Sequence, residues 1–432
     1  MFLFRRFTSP LPGPPRFFLY LEAALLLLLS LSLLSSYTKR YPLFNQTDSS
    51  RYQIQEEVPE AIDGQKGSSN QTKENTNKEG VNKENANKEN TNEENIDSGN
   101  KKDSEKKFIK WVDFTVTAEA MDKAFRLDLD TCLSEPHLNW IELLAYLGAR
   151  YGGDFSRYKA SDLDQLAQKL LNGESMENLT KDLKYYSYYE EAYTAVLGGM
   201  VGVFREEIPA EQAPPTEESS PQESDSSLQE QGSESPLTSP TADTVWVTKY
   251  GLKAFSPIAK GFPYSDFDDF GTARSYGFKR QHLGHDMMGQ VGTPIIAVES
   301  GIVEALGWNQ YGGWRIGIRS LDNKRYYYYA HLRKNYPYQS NLEVGSRVQA
   351  GDVIGYMGRT GYSRKENTNN IDESHLHFGI QLIFDESQKE GNNEIWISCY
   401  ELVKFLRQNQ CLTKKVPDTK EWQRVYGTGE KE

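Results

Sequence analysis

The sequence predicts a multidomain protein with an all-β C-terminal unit, preceded by a small all-α domain, disordered linkers and an N-terminal transmembrane helix. Three observations predict this order. The spacing of apolar residues changes from helical to strand-like along the chain, two polar tracts separate the parts, and one long apolar run lies near the N-terminus. We expect the boundaries 1–37, 38–107, 108–204, 205–244 and 245–432.

The first part, residues 1–37, contains an apolar run from Phe17 to Leu34 in which Glu22 is the one charged residue. A helix of this length can just cross a bilayer core of about 30 Å. A cleaved signal peptide is the alternative, but small residues at the usual cleavage positions are hard to find after Leu34. We therefore expect an uncleaved signal anchor. Its orientation does not follow from the flanking basic residues, because they balance on the two sides.

Residues 38–107 are polar, and a pentad repeat from Thr72 to Ile96 forms their centre (TKENT, NKEGV, NKENA, NKENT, NEENI). A five-residue period fits neither helix nor strand packing, and the repeat offers almost nothing apolar to bury. We expect a disordered linker. As a coil of about 70 residues it would span roughly 45 Å, which suits a domain held away from a membrane.

Residues 108–204 are predicted to form a small all-α accessory domain. Apolar residues recur at helical spacing over 138–147 and 163–170, and a tyrosine-rich apolar stretch covers 184–203. Residues 205–244 follow as an acidic linker rich in Ser and Pro, which lacks the apolar content to fold alone.

The composition argues against several classes of function. The net charge is −12 and no basic block offsets it, so nucleic-acid binding is not expected. Cys132, Cys399 and Cys411 form no CxxC pair, so a thiolate metal site is not expected either, while a Cys399–Cys411 disulfide stays an alternative. Glu142 and Asp154 are acids of the type that glycosidases pair, but we interpret them as ordinary solvated residues.

From Val245 the composition changes to Gly, β-branched and aromatic residues in short runs bounded by turn residues. Runs such as WRIGIRS, RYYYYAHL and HLHFGIQLIF are typical of an all-β domain. A helix is expected near the end of this unit, from Cys399 to Gln410.

Five of the six histidines of the chain lie in this unit. Alternate residues of an extended segment share a face, so His282 and Asp286 of QHLGHD point one way and His285 points the opposite way. His375 and His377 of HLHFGI likewise share a face. Each pair taken alone is more often structural, but their joint occurrence in one short β domain indicates a metal site.

Two such pairs can converge on one cation, and Gly284 leaves the face of the first pair unobstructed. Zinc accepts imidazole nitrogen and carboxylate oxygen, and catalytic zinc keeps three protein ligands with water in the fourth position. His331 ends the run RYYYYAHL, where it could face the same pocket.

In combination these motifs carry a resemblance to a known family. HLGHD, GTPIIAVESGIVEA, YYYAHL, GSRVQAGDVIGYMGRTG and HLHFGI resemble, in this order, the LytM/lysostaphin family of peptidoglycan metalloendopeptidases, the M23 peptidases, over about Gly277 to Phe384. The resemblance implies an antiparallel β-sheet core and Zn²⁺ as the cofactor. By motif, it implies that His282, Asp286 and His377 are the zinc ligands and that His331 and His375 are the catalytic pair.

The implied function is zinc-dependent hydrolysis of peptide cross-links or stem peptides of bacterial cell-wall peptidoglycan. One histidine of the catalytic pair would assist proton transfer and the other would stabilise the developing oxyanion. Because peptidoglycan lies outside the cytoplasm, the resemblance also implies a single-pass protein of the cell membrane with its C-terminal domain extracytoplasmic. The expected partners are peptidoglycan and, through the N-terminal helix, the membrane.

One departure from the family pattern is the polar insert YSRKENTNNIDES before His375. We expect it to border the cleft, where it either restricts substrates or is an inert surface loop. The tyrosine run 326–329 either supplies a groove wall or alternates between core and surface. Trp308, Tyr311 and Trp314 are candidate groove residues.

Two other functions fit parts of the sequence. A catalytically silent member of the same family would bind peptidoglycan or an envelope partner, but such members typically lose a ligand or a catalytic histidine, and all five positions are intact here. The hairpin in GSRVQAGDVIG resembles a lipoyl or biotinyl carrier domain but lacks a suitable lysine at its tip. We also expect residues 245–432 to fold and bind zinc without the rest of the chain.

Overall fold

The computed structural model describes residues 108–213, 243–275, 279–389 and 393–430. The predicted anchor at 1–37 and linker at 38–107 lie outside these residues, as does most of the predicted linker 205–244. Within the described ranges, no helix combines the length and the apolar character needed to span a bilayer.

The predicted helical region is confirmed. Its elements are α1 (Ala118–Thr131), α2 (Trp140–Tyr151), α3 (Ala160–Leu171), α4 (Met176–Thr180) and α5 (Tyr186–Leu197), with a 3₁₀ turn at Phe155–Arg157. Asn139 starts α2 by accepting hydrogen bonds from the amides of the first turn, and Gly152 ends it at a φ of 64°. Asp154 caps the 3₁₀ turn, which is a structural role for this acid.

Strands make up most of the remainder of the described chain. They are β1 (Val201–Pro209), β2 (Thr244–Leu252), β3 (Tyr264–Asp266), β4 (Ala273–Ser275), β5 (Lys279–Gln281), β6 (His285–Gly289), β7 (Pro294–Ile296), β8 (Gly301–Asn309), β9 (Gly313–Ser320), β10 (Arg325–Ala330), β11 (Arg347–Val348), β12 (Val353–Tyr356), β13 (His375–Leu382), β14 (Ile395–Ile397), β15 (Thr413–Lys415), β16 (Trp422–Arg424) and β17 (Thr428–Glu430). The helix expected at Cys399–Gln410 is present and shorter, as α6 (Tyr400–Leu406).

The predicted antiparallel sheet core is confirmed. Its main sheet has eight strands in the order β11–β8–β9–β10–β13–β6–β3, with β14 also paired to β13. Strand β13 shows why the sheet forms: Leu376, Phe378 and Ile380 are fully buried on one face, while His375 and His377 project from the other. One face of the sheet therefore builds the core and the other carries the histidines.

The predicted linker boundary at residue 205 is wrong, because β1 continues to Pro209 and pairs with β2 over its whole length. β17 pairs with the other edge of β1, which completes a three-stranded sheet. The two acids that made the segment look like a linker are engaged in this sheet. Glu206 pairs with Lys249, and the buried Glu207 accepts hydrogen bonds from the Thr244 hydroxyl at 2.6 Å and the Gly427 amide at 2.9 Å.

The helical unit and the β unit share one hydrophobic core. Phe405 of α6 packs against Phe125 of α1 at a ring-centroid distance of 6.0 Å and against Trp140 of α2 at 5.7 Å. The Glu401 carboxylate of α6 accepts the Ala118 amide at the start of α1, at 2.7 Å. These contacts make the helices a structural part of the β unit, in contrast to the expectation that residues 245–432 fold alone.

A buried ion pair of the β unit lies at the same interface and makes one hydrogen bond across it. The Arg325 side chain is fully buried; its Nε donates to Glu299 Oε2 at 2.8 Å and its Nη1 donates to the carbonyl of Ala195 in α5 at 2.8 Å. Burial alone would lower the pKa of this guanidinium, but the charge of Glu299 raises it above its ordinary value. A buried charge is tolerated only when it is paired and hydrogen-bonded, and here part of that pairing comes from the helical unit.

The structure shows all three cysteines as free thiols, so the alternative of a Cys399–Cys411 disulfide is wrong. Cys399 and Cys411 lie in separate hydrophobic clusters. Burial raises the pKa of each of these two thiols to about 12, so both are protonated at neutral pH.

Candidate metal centre and active site

The three residues expected to bind metal come together at the ladder between β6 and β13. Asp286 lies directly opposite His377 in this ladder. His282 follows β5, and the chain turns before β6 begins at His285, so the extended segment assumed from the sequence is interrupted. The turn still brings His282 onto Asp286, while His285 points to the opposite side of the strand, as expected.

The three donor atoms lie within contact distance of one another. His282 Nε2 is 3.1 Å from Asp286 Oδ1 and 3.0 Å from His377 Nδ1, and His377 Nδ1 is 2.8 Å from Asp286 Oδ1. Ligand atoms around tetrahedral zinc with bonds of 2.0–2.1 Å are about 3.3 Å apart. Two imidazole nitrogens and a carboxylate oxygen at this spacing therefore fit a zinc ion.

The protonation states also suit a cation. Burial by itself would raise the pKa of Asp286, but hydrogen bonds from His282 and His377 hold it well below its usual range, so the carboxylate is ionised. Burial lowers the pKa of His377, although Asp286 opposes this, and a neutral imidazole is the form that binds metal.

Gly284 makes room for the centre. A Cβ at this position would lie 2.5 Å from Cε1 and 2.6 Å from Nε2 of His377, and 2.9 Å from the carbonyl oxygen of Phe378. Any side chain at residue 284 would therefore displace the His377 ring.

Two further residues, Asp269 and Arg274, hold the candidate ligands in place, and the sequence analysis did not predict either of them. The buried Asp269 carboxylate lies 3.1 Å from His282 Nδ1, on the side of the ring away from the donor atom. The Arg274 guanidinium pairs with Asp269 and is 3.1 Å from Asp286 Oδ2, so it ties the two carboxylates together. A carboxylate behind a ligating histidine fixes the tautomer and the orientation of the ring. Asp269 lies 13 residues before His282 in an acidic stretch that no motif marks, so only the fold brings it into position.

The two remaining histidines lie beside the donor atoms. Their ring centroids are 4.7 Å apart, and His375 Nε2 is 3.8 Å from Asp286 Oδ1. The Nδ1 of His331 bonds the carbonyl of Thr360 at 2.9 Å, and the Nδ1 of His375 bonds the carbonyl of Glu373 at 2.9 Å. A carbonyl only accepts, so Nδ1 carries the hydrogen in both rings and Nε2 is the nitrogen left for chemistry.

His331 has a backbone φ of 62°, in the left-handed region that few non-glycine residues adopt. Its amide donates to Gly312 O at 2.7 Å, and a Cβ at Gly361, whose φ is 127°, would lie 3.1 Å from His331 Nδ1. Burial lowers the pKa of His331 well below the usual value, and the nearby His375 adds to this effect. A strained backbone at this position is common where the structure holds a reactive side chain in place.

Aromatic residues lie on the strands next to the histidines. Trp314 packs against Trp308 at 5.7 Å, and the hydroxyl of Tyr328 accepts from the Asn309 amide at 3.2 Å. In the tyrosine run the side chains alternate between the two faces of the sheet, but Tyr326, Tyr327 and Tyr329 are buried and Tyr328 is half-buried, so none is a surface residue. Tyr327 and Tyr329 are buried against Phe378, whereas Tyr328 faces the His377 ring at 6.0 Å.

The expectation that the polar insert borders the cleft is confirmed. Tyr362, its first residue, lies with its ring 5.9 Å from the His331 ring. Asn367 accepts a hydrogen bond from the Trp314 indole at 2.9 Å. The insert therefore lies against both His331 and Trp314.

His285 has a structural place on the opposite face. Its Nε2 is 2.9 Å from Asp266 Oδ2, and its ring packs on Tyr400 of α6 at 5.5 Å. Arg407 pairs with the same Asp266 carboxylate. This network ties the back of β6 to the C-terminal helix.

Known proteins share the part of the chain that carries this centre. Residues 280–390 match the model of Peptidase family M23. L-Ala--D-Glu endopeptidase of Bacillus subtilis (strain 168) is 38% identical over 130 residues, 30% of this chain and 38% of that protein. Lysostaphin of Staphylococcus simulans is 39% identical over 98 residues, 22% of this chain and 17% of that protein. The solved catalytic domain of the antimicrobial peptidase lysostaphin from the same organism is 30% identical, covers 33% of this chain and 92% of that domain, and gives a TM-score of 0.26. The matched region is less than half the length of either full-length relative.

Proposed function

We propose that this chain, whose residues 280–390 belong to peptidase family M23, is a zinc-dependent endopeptidase that cuts peptide cross-links or stem peptides of bacterial cell-wall peptidoglycan. One observation carries the proposal. Three metal-type donor atoms lie within 2.8–3.1 Å of one another, and His375 Nε2 reaches to 3.8 Å of the same carboxylate oxygen. A metal site and a pair of proton-transfer groups thus share one groove.

In the mechanism that we propose, His282, Asp286 and His377 hold Zn²⁺. When bound there, zinc would supply a Lewis acid that polarises the scissile carbonyl and lowers the pKa of water. Asp269 orients His282, and Arg274 holds the Asp269 and Asp286 carboxylates in place.

Proton transfer falls to the pair His331 and His375. Their Nδ1–H groups are occupied by backbone carbonyls, so each presents Nε2. One ring takes the proton of the attacking water and passes it to the leaving amine, and the other stabilises the oxygen of the tetrahedral intermediate. Tyr362 and Trp314 line the groove in which the peptide lies.

For the bond, the Bacillus subtilis relative supplies the first candidate, since its name places its cut between L-Ala and D-Glu. The peptide cross-links named in the proposal stay the second candidate. We further propose that the peptidase acts outside the cytoplasm, anchored in the cell membrane by the apolar run Phe17–Leu34, because peptidoglycan lies there. Protease added to wall-stripped cells should then release the C-terminal domain, and complete protection would reverse the orientation.

The direct test is digestion of purified peptidoglycan by the zinc-loaded full-length protein, with the released peptides identified by mass spectrometry. New amino termini at one defined bond are expected. Chelation of the metal should stop their release, and added zinc should restore it. Full zinc occupancy without any release would contradict the proposal and favour a catalytically silent member that binds peptidoglycan.

A further inference from the structure

Two arginines face each other on the hairpin beside the metal centre. Arg274 of β4 lies directly opposite Arg280 of β5, and both are half-buried while the residues on either side of each are exposed. Like charges directly opposite on a hairpin destabilise it. Each of the two arginines therefore needs a partner that offsets this repulsion.

Arg274 has such partners, because it pairs with Asp269 and Asp286. Arg280 does not. Among the described residues, its one hydrogen bond goes to the hydroxyl of Tyr362, and its guanidinium stacks 5.1 Å from the centroid of the same ring. In the same ranges no carboxylate pairs with it, and its buried Nε donates to no acceptor.

An unused, buried guanidinium donor has a cost in the free protein. Buried polar groups in folded proteins are almost always hydrogen-bonded, so the unpaired Nε of Arg280 is a donor that an acceptor from a ligand can satisfy. The charge also lies close to the chemistry, since Tyr362 contacts Arg280 on one side and its ring is 5.9 Å from the His331 ring. A planar fork of donors matches a carboxylate with two parallel hydrogen bonds.

We propose that Arg280, with Arg274 behind it, binds a free carboxylate of the substrate peptide next to the scissile bond. The substrate class is then an acidic peptide that keeps a free carboxylate beside the scissile bond. This inference rests on the proposed peptidase function and deepens it. The carboxylate neutralises Arg280 in the complex and so completes the site.

The test uses two peptides that differ in one group. The first is L-Ala-γ-D-Glu-L-Lys with a free glutamate α-carboxylate, and the second carries a carboxamide there. The ratio of kcat/KM for the two peptides is measured on the zinc-loaded full-length protein. Affinity is measured separately by calorimetry on a His331→Asn background, so that no peptide is consumed.

A charge-assisted pair at a half-buried site should favour the carboxylate peptide by about 10- to 100-fold, in affinity and in kcat/KM. Arg280→Gln should bring both ratios close to one. Arg280→Lys should retain part of the preference, because it keeps the charge but loses the fork. Lys279→Gln is the matched control, since it removes an exposed charge from the adjacent position and should keep the full ratio.

Equal affinity of the His331→Asn protein for the two peptides, or a preference that survives when Arg280→Gln is added, would overturn the inference. So would the absence of measurable binding of either peptide. Hydrolysis of both peptides at equal rates would contradict this subsite while supporting the peptidase. Preferential binding without hydrolysis would support the subsite while contradicting the peptidase.

Discussion

His331 and His375 lie with their ring centroids 4.7 Å apart, and each donates its Nδ1–H to a backbone carbonyl. Neither of these hydrogen bonds involves a proposed metal ligand. The backbone thus fixes the two rings independently of the metal, and zinc binding and proton transfer should be separable by mutation.

The first prediction uses this separation. His377→Ala removes one of three proposed ligands, so both zinc affinity and hydrolysis should collapse. His331→Asn should keep zinc close to stoichiometric and lower turnover by about 10²- to 10⁴-fold, the usual effect of losing a positioned proton-transfer group. Asparagine is preferred to alanine here because it tolerates the left-handed backbone of residue 331. Zinc is measured by atomic emission beside peptide release.

The outcome that would reverse these roles is zinc loss in His331→Asn with zinc retained in His377→Ala. His285→Ala, which looks from strand parity like a neutral control, is not one. The buried His285 bonds Asp266 and packs on Tyr400, so its loss should lower the free energy of unfolding by about 1–3 kcal/mol while zinc is retained.

The second prediction concerns the carboxylate behind His282. Asp269→Asn removes the charge that lies 3.1 Å from His282 Nδ1 but keeps the size of the side chain. Zinc affinity should fall by about 10- to 100-fold, as is usual for such outer partners of metal ligands. The dissociation constant is measured by competition with a chelator. Asp268→Asn, on the exposed neighbour, is the control, and equal affinity in both variants would remove Asp269 from the site.

The third prediction concerns space. Gly284→Ala places a methyl group 2.5 Å from Cε1 of His377, and backbone on the far side prevents an easy shift. We expect zinc affinity to fall by at least about tenfold, with a smaller loss of stability. Gly251→Ala is the matched control, because its Cβ would meet nothing closer than 4.0 Å. Unchanged zinc affinity in Gly284→Ala would show that the His377 ring can move freely.

The fourth prediction concerns the buried ion pair. Arg325→Met leaves Glu299 without its charge partner, so the free energy of unfolding should fall by about 3–5 kcal/mol. Arg325→Met combined with Glu299→Gln should regain part of this loss, because no lone buried charge remains. Urea unfolding at constant slope measures both. A single-variant effect below about 1 kcal/mol would mean that water reaches the pair.

The fifth prediction concerns the division of the chain. Residues 245–432 produced alone would expose the α6 face that meets Phe125 and Trp140, and would lose the Ala195 carbonyl from Arg325. We expect this fragment to aggregate or to bind an apolar dye, and a fragment that adds residues 108–213 to unfold in one cooperative transition. A soluble 245–432 fragment with full zinc affinity would restore the modular arrangement.

The sequence predicts the site best where the two-residue period of a strand alone determines the face on which a side chain lies. In β13 the period of two puts Leu376 on the core side and His375 and His377 together, and the ladder then adds Asp286. Local pattern was sufficient because each of these positions depends on strand geometry alone.

The sequence did not predict contacts between residues that lie far apart along the chain. Arg274 on the β4–β5 hairpin and Asp269 just before it reach the candidate metal centre, and no sequence period encodes their positions. The acids Glu206 and Glu207 gave β1 the composition of a linker, although Lys249 and Thr244 satisfy them in the folded sheet. The sequence does not predict the core shared with α6 for the same reason. The pattern of an amphipathic helix shows that it packs against another element but not which element.

The pairing of β1 with β2 begins at Pro209 and Thr244, and the amide of Ala210 also donates to Asp243 O at 2.8 Å. The end of β1 and the start of β2 therefore lie side by side. A single proteolytic cut among residues 214–242 would divide the chain into two polypeptides without dividing the fold. One would hold α1–α5 and β1, the other the candidate metal centre, and the β1–β2 ladder and common core would keep them as a non-covalent complex. The same geometry offers a place to split the protein into complementing halves whose reassembly restores the centre.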